Sequence, residues 1–523
     1  GDFNVFLGEG SGGGATQTDA ADGNIGIGYN SLNGVTTGAN NIGVGRNALV
    51  TVNTGSNNVA IGKDALDKST IGATNTAIGT GALTDDVLGN GTTAVGYASL
   101  WKQAVTGDNT ITHNTAVGGY AGYHNITGLN NTYIGYEAGF GAAGQSNSHN
   151  VGVGTDALTA ITTGEKNVMI GATAGDAIDG ETNNVGIGYG AMGGAVNGAD
   201  KCIAIGSDSL SGAITQDGTI AIGHDTLAAL TIGSANTAVG YQAGKTTTTG
   251  GANVYIGYQA ADATHVDATA NIAIGKNAFG GTHTGTVCHY NTAVGDNALA
   301  GAMNGVDGAV ALGYKALEAL TSGAGNTAVG YNSLSVVKTD GSNVSVGYES
   351  SKYMYGGSNV AVGKDALLGA TFTDATCDYD DDPTITHDSN ASIIAGLGVS
   401  GTGIPDGAYI ATRTDSTHFE LSASTTGGAV TNGTLTFYSR AETCVAIGTD
   451  ALTAFKTGSG NTAVGNDSMS GVMIGANNNT AVGHTALAAL TTGDNNTVIG
   501  TGAAVALTDS SYNTVAGYQA LTT

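Results

Sequence analysis

Asn236-Thr237-Ala238-Val239-Gly240-Tyr241-Gln242-Ala243 and, 90 residues on, Asn326-Thr327-Ala328-Val329-Gly330-Tyr331-Asn332-Ser333-Leu334 spell one phrase twice. Numbered from its Asn, the phrase recurs 26 times between Gly8 and Gly517 of the 523-residue chain, each time with Gly at position 5. The commonest spacing is 17 residues, small departures reach 22, and one gap of 85 follows Gly363. A fixed period of this length marks stacked structural units rather than one globular core. Position 1 is Asn in 21 copies and position 4 is aliphatic in 25, so each copy meets the same surroundings.

Within the phrase, Thr237 and Val239 alternate with Ala238 and Gly240, the period of two of a short strand. That alternation puts branched residues on one face and small ones on the other. The branched face is expected to point inward, leaving a nearly bare Ala and Gly face outside that a second chain can approach. The following Tyr-x-Ala-Leu half, as at Tyr331–Leu334, fits either a second short strand or a single helical turn, its Leu pointing inward. Thr36-Thr37-Gly38-Ala39-Asn40 and its counterparts are turn chemistry, since Gly and Asn tolerate positive φ. One coil buries two or three aliphatic side chains, worth about 1.5–3 kcal/mol each, against about 1–2 kcal/mol per ordered residue. A lone coil cannot fold, and stability must come from the array.

The fold expected is therefore all-β: a parallel β-solenoid, or β-roll, of about 26 coils with a period near 17 residues, plus one small inserted β domain. Repeats occupy residues 1–370 and 444–523, and the insert 371–443. The insert holds both prolines, Pro383 and Pro405, and three of the eight Phe residues. Its alternating runs Ala408–Thr412, His418–Leu421 and Thr434–Phe437 read as strands. At about 4.8 Å per coil the array would make a rod of roughly 125 Å.

Composition narrows function. With 89 Gly but no G-X-Y period collagen is excluded, and 41% hydrophobic content argues against disorder. A formal charge of −26 repels nucleic acid and anionic lipid alike. No apolar run is long enough to span a bilayer, so no membrane insertion is expected.

Candidate sites are few. The Asn column, with Asn236 and Asn326, reads as an amide ladder along a coil corner, because buried amides must be paired; Val239, Gly240, Val329 and Gly330 are structural positions of the same phrase. The Tyr that often follows the Gly packs at a corner or between chains, or forms a stripe on which glycans stack. Asp378, Asp380, Asp381 and Asp382 form an acidic run that reads as a solvated loop, with Ca²⁺ binding as the sharper alternative. Cys377 and Cys444 bracket the insert and are candidates for a disulfide at its base. The ten His residues show no metal-ligand spacing, and each Gly-x-Gly string belongs to the repeat period, so no cofactor is expected and the chain reads as a non-enzyme.

The phrase at Asn236–Tyr241 and Asn326–Tyr331 resembles the head repeats of trimeric autotransporter adhesins and, more closely, repeats in tail-fibre and appendage proteins of marine bacteriophages. Gly401-Thr402-Gly403-Ile404-Pro405, Phe419-Glu420-Leu421-Ser422 and Leu435-Thr436-Phe437 look like a small β module of phage structural proteins. The resemblance implies a homotrimeric tail fibre or appendage on a virion or outside the cell, mediating host attachment. Its partners would be other copies of itself, neighbouring fibre or virion proteins, and a host surface glycan or receptor. The rivals are a bacterial surface adhesin or extracellular filament subunit, a polysaccharide-acting enzyme with a carboxylate pair on neighbouring coils, and an ice-binding solenoid. The last needs an exposed Thr row, whereas Thr at position 2 is expected to point inward.

Overall fold

Every copy of the phrase folds alike. In the computed structural model, which describes residues 3–105, 107, 110–263, 267–282 and 285–522, positions 2 to 4 form a three-residue strand such as Val59–Ile61 or Thr76–Ile78. Each strand pairs parallel and in register with that of the next coil: Val59 with Thr76, Ala60 with Ala77, Ile61 with Ile78. No helix occurs among the described residues, and the chain is a parallel β-solenoid with one inserted β domain. It divides into two compact units, Gly1–Ala252 and Asn253–Thr523. The first carries fourteen such strands, Val5–Leu7 to Thr237–Val239; the second carries twelve, Val254–Ile256 to Thr514–Ala516.

The half of the coil that begins with Tyr is neither strand nor helical turn. Positions 7 and 9 both take left-handed backbone, as at Asp64 (φ 57°) and Leu66 (φ 49°). Left-handed non-Gly residues cost energy. Coil-to-coil hydrogen bonds offset that cost: Asp64 N donates to Arg46 O at 2.9 Å and Leu66 N to Ala82 O at 3.0 Å. The stacking neighbour, not local propensity, holds this turn.

The strand faces the opposite way from the sequence expectation. Ala60, Ala77 and Ala94 at position 3 are completely buried, whereas Val59 and Thr76 at position 2 and Ile61 and Ile78 at position 4 look outward. The reason is volume. The position-9 leucines, including Leu32, Leu49 and Leu66, are fully buried and fill the narrow interior. A Cβ added at Gly43, in position 3, would lie 3.2 Å from Leu32 Cγ and 3.1 Å from Ala48 O. Most coils therefore place Ala or Gly at position 3, with Ser345 and Val498 among the larger exceptions.

Larger residues enter position 3 where Gly makes room. The fully buried Tyr133 ring occupies the space of a Cβ at Gly139, position 9 of its own coil, and presses on Gly152, position 3 of the next. Met169 does the same with Gly175 and Gly186, and Phe6 with Gly12 and Gly26. The Gly at position 5 has a separate role. Gly62 adopts φ +139°, and a Cβ there would sit 2.4 Å from Gly79 O of the adjoining coil.

The insert, in the second unit, is built on different rules. Thr371–Tyr379 and the 13-residue strand Val430–Glu442 pair antiparallel, with Gly398–Ser400 on the latter. Thr384–Thr386, His418–Leu421 and Ile410–Arg413 extend the sheet. Phe419, Phe437, Leu435, Ile385 and Ile410 form its own buried core. The far end of Val430–Glu442 also pairs parallel with Met354–Tyr355 and Thr457–Ser459, which splices the insert into the coils.

Candidate functional site

The outward columns of the coils are the most extensive candidate surface. Ile27, Ile61, Ile78, Ile134 and Ile170 in the first unit, and Ile256, Leu312, Ile447 and Val482 in the second, are between 37% and 40% exposed on short strands. Beside them position 2 presents Val, Ile or Thr, including the consecutive runs Thr76, Thr93, Thr115, Thr132 and Thr462, Thr480, Thr497, Thr514. Soluble monomers rarely expose contiguous apolar stripes of this kind. The signal was present in the sequence as the aliphatic position 4; the period of two gives alternation but not which face is inside.

The Asn column is structural. Asn58 is fully buried; its Nδ2 donates to Asn41 Oδ1 at 3.1 Å and to Gly72 O at 2.8 Å, and its Oδ1 accepts from Asn75 N at 2.9 Å. Asn236 Nδ2 donates to Gly250 O at 2.8 Å, and Asn326 Nδ2 to Asp340 O at the same distance. Val239 and Val329 are half-buried outward residues, and Gly240 and Gly330 take φ of +137° and +138°.

Three of the four carboxylates of the acidic run accept backbone hydrogen bonds, two of them from the segment around Gly428–Asn432. Asp378 Oδ1 accepts from Asn432 N at 2.7 Å, Asp381 Oδ1 from Gly428 N at 2.8 Å, and Asp382 Oδ1 from Thr384 N at 2.9 Å. Asp378, Asp380 and Asp382 line an open hollow of about 350 Å³ with Thr384 and Thr386. These carboxylates do not converge. Among the described residues the one group of three or more acid, imidazole or thiol side chains whose ligand atoms lie within 4.8 Å of one another is Asp208, His224 and Asp225. Those positions are one coil apart, so sequence spacing concealed them. Lys245 Nζ already sits 2.8 Å from Asp225 Oδ2 and holds that carboxyl below its ordinary range.

The candidate Cys377–Cys444 bridge is not formed. Both thiols are free and buried, Cys377 in the insert core and Cys444 in the core of the coils. Burial pushes the Cys377 thiol up to about 12. Cys202 and Cys444 stand where the phrase has Asn, and each donates its backbone N–H to the Asn column, to Asn184 Oδ1 at 2.8 Å and Asn359 Oδ1 at 2.9 Å.

The exposed Tyr column forms true stacks in places: Tyr314, Tyr331 and Tyr348 lie 5.1 and 5.0 Å apart with planes within 14° and 6°. No helix of the described residues is long and apolar enough to cross a membrane. Compared with known proteins, the chain matches no family model and no curated protein.

Proposed function

We propose that the chain is a structural and adhesive fibre segment that associates side by side, as a homotrimer, through the outward columns of positions 2 and 4. The observation that carries this reading is the half-exposed stripe of Val, Ile, Leu and Thr repeated coil after coil in both units. A repeated surface presented in register offers every coil the same contact, so small gains per coil add along the array. The repeat phrase favours a virion tail fibre or appendage at the host surface; a bacterial adhesin or extracellular filament subunit uses the same architecture. Light scattering tests the assembly. A mass three times 51.1 kDa supports it, and a monomeric parent chain overturns it.

A second reading follows from the corrected strand orientation. The Thr runs at position 2 face outward in register at the parallel-strand spacing of about 4.8 Å, the kind of rigid, ordered face that can adsorb to ice. Thermal hysteresis that is lost in Thr93→Leu/Thr115→Leu would favour it over lateral assembly.

A further inference from the structure

Where other coils carry at most one Tyr after the Gly, the coils spanning residues 97–140 gather seven aromatic rings in one surface patch: Tyr97, Trp101, Tyr120, Tyr123, His124, Tyr136 and Phe140. Position 6 holds Tyr97 and Tyr136, while the coil between them carries Gly119 there. Tyr120 fills the vacated place, 5.1 Å from Tyr97 at 79° and 6.0 Å from Tyr136 at 89°. Further round the coil, Trp101, Tyr123 and Phe140 make a second column at 6.3 and 5.3 Å. Tyr120 joins the columns, 5.7 Å from Tyr123 and 6.3 Å from Phe140, and His124 adds an edge contact to Tyr123 at 4.6 Å.

The coils make room for these rings. A Cβ at Gly81 would lie 2.3 Å from Trp101 Cζ3, so the indole is seated on a glycine of the coil beneath. The interval from Gly96 to Gly118 is 22 residues, the longest apart from the insert. None of the six Tyr, Trp and Phe rings is buried, and Tyr97 and Tyr136 are 52% and 51% exposed. Packing explains the parallel Tyr314–Tyr331–Tyr348 stack, in which neighbours cover both faces of the middle ring. The patch is less covered: a T-shaped contact is as favourable as a stack but shields a face only with an edge, so Tyr120 and its neighbours leave more ring face open.

We propose that this patch is a binding platform for a neutral polysaccharide. A pyranose has an apolar C–H face and a hydroxyl rim, which match ring faces and phenol edges. Successive coils repeat the rings at 5.1–6.3 Å, the scale of one sugar unit. Charge argues against polyanions: Lys102 is paired with Asp85 at 3.1 Å, and the chain carries −26 overall. The proposal adds a ligand class to the fibre reading and rests on it for the platform's display at a surface.

Trp101 is the single Trp of the chain, so its emission reports on the patch alone. The full chain is titrated with the hexasaccharides of cellulose, amylose, mannan and chitin, and with phosphatidylglycerol vesicles. The expected result is a saturable emission change with at least one sugar, weakened tenfold or more in Tyr120→Ala and in Tyr97→Ala and unaltered in Tyr331→Ala. No saturable response to any of the four sugars overturns the platform, as does equal affinity in folded Tyr120→Ala or a response to vesicles alone. Light scattering of the same samples separates the two readings: a trimer that ignores sugar sinks the platform, and a monomer that binds it sinks lateral assembly.

Discussion

The coils and the insert solve the same problem, burying enough surface to order a chain, in opposite ways. A coil has a three-residue strand, a fully buried Ala and one Leu, and takes its backbone partners from the coils on either side. The insert has strands of 9 and 13 residues, antiparallel pairing and a stacked Phe core that belongs to it alone. The coil is therefore stable only in company, whereas the insert carries its own core and borrows the coils only where Val430–Glu442 is spliced between Met354–Tyr355 and Thr457–Ser459.

The coil backbone is where a single substitution does most damage. In Gly330→Val a side chain would have to adopt φ +138° with its Cβ 2.2 Å from Gly347 O. The expected loss is on the order of 5 kcal/mol, spread to the neighbouring coils and visible as lost hydrogen-exchange protection on both sides. Phe437→Ala attacks the insert instead. Phe437 is fully buried, stacked on Phe372 at 4.9 Å and edge-on to Phe419 at 5.8 Å. A loss of about 4 kcal/mol should melt the insert in a separate calorimetric transition while the coils persist; a single joint transition would show that the two regions fold as one.

Asn58→Ala removes a buried amide and orphans Gly72 O and Asn75 N, at an expected cost of about 3 kcal/mol in denaturant unfolding. The smallest effect concerns Asp86, a fully buried carboxyl whose pKa burial pushes up to about 6. Because the folded state holds this proton more tightly than the unfolded state, the stabilisation is complete below about pH 4 and is lost as pH rises through about 6. The change is about 2–3 kcal/mol, and Asp86→Asn should abolish that part of the pH slope between pH 4 and 7 in thermal melts.

Much of the fold was legible because repetition amplifies weak local signals. Three residues of alternation say little once, but 26 copies fix strand, turn and period, and the gap after Gly363 fixes the insert. What was not legible was direction. Ala238 beside Val239 suggests an apolar core behind the Val, yet the interior is set by a residue five or more positions away, the position-9 Leu, which leaves space for a methyl group only. Tyr133 and Met169 carried the missing clue: these two come with Gly139 and Gly175 at position 9 of their own coils. The Asp208, His224 and Asp225 group and the aromatic patch were hidden for another reason, since solenoid neighbours lie one period apart in sequence rather than at the short intervals of helix or hairpin sites.

The exchange of volume between position 3 and the following glycines also limits how such a gene can lengthen or shorten. Deleting the single coil that carries Gly152 would set the Tyr133 ring against Met169 of the following coil, with no glycine to receive it. Viable crossovers must carry a large residue and its two glycines together, so the heritable block at those points is the pair of adjoining coils, while stretches of plain Ala and Leu coils can gain or lose one period at a time.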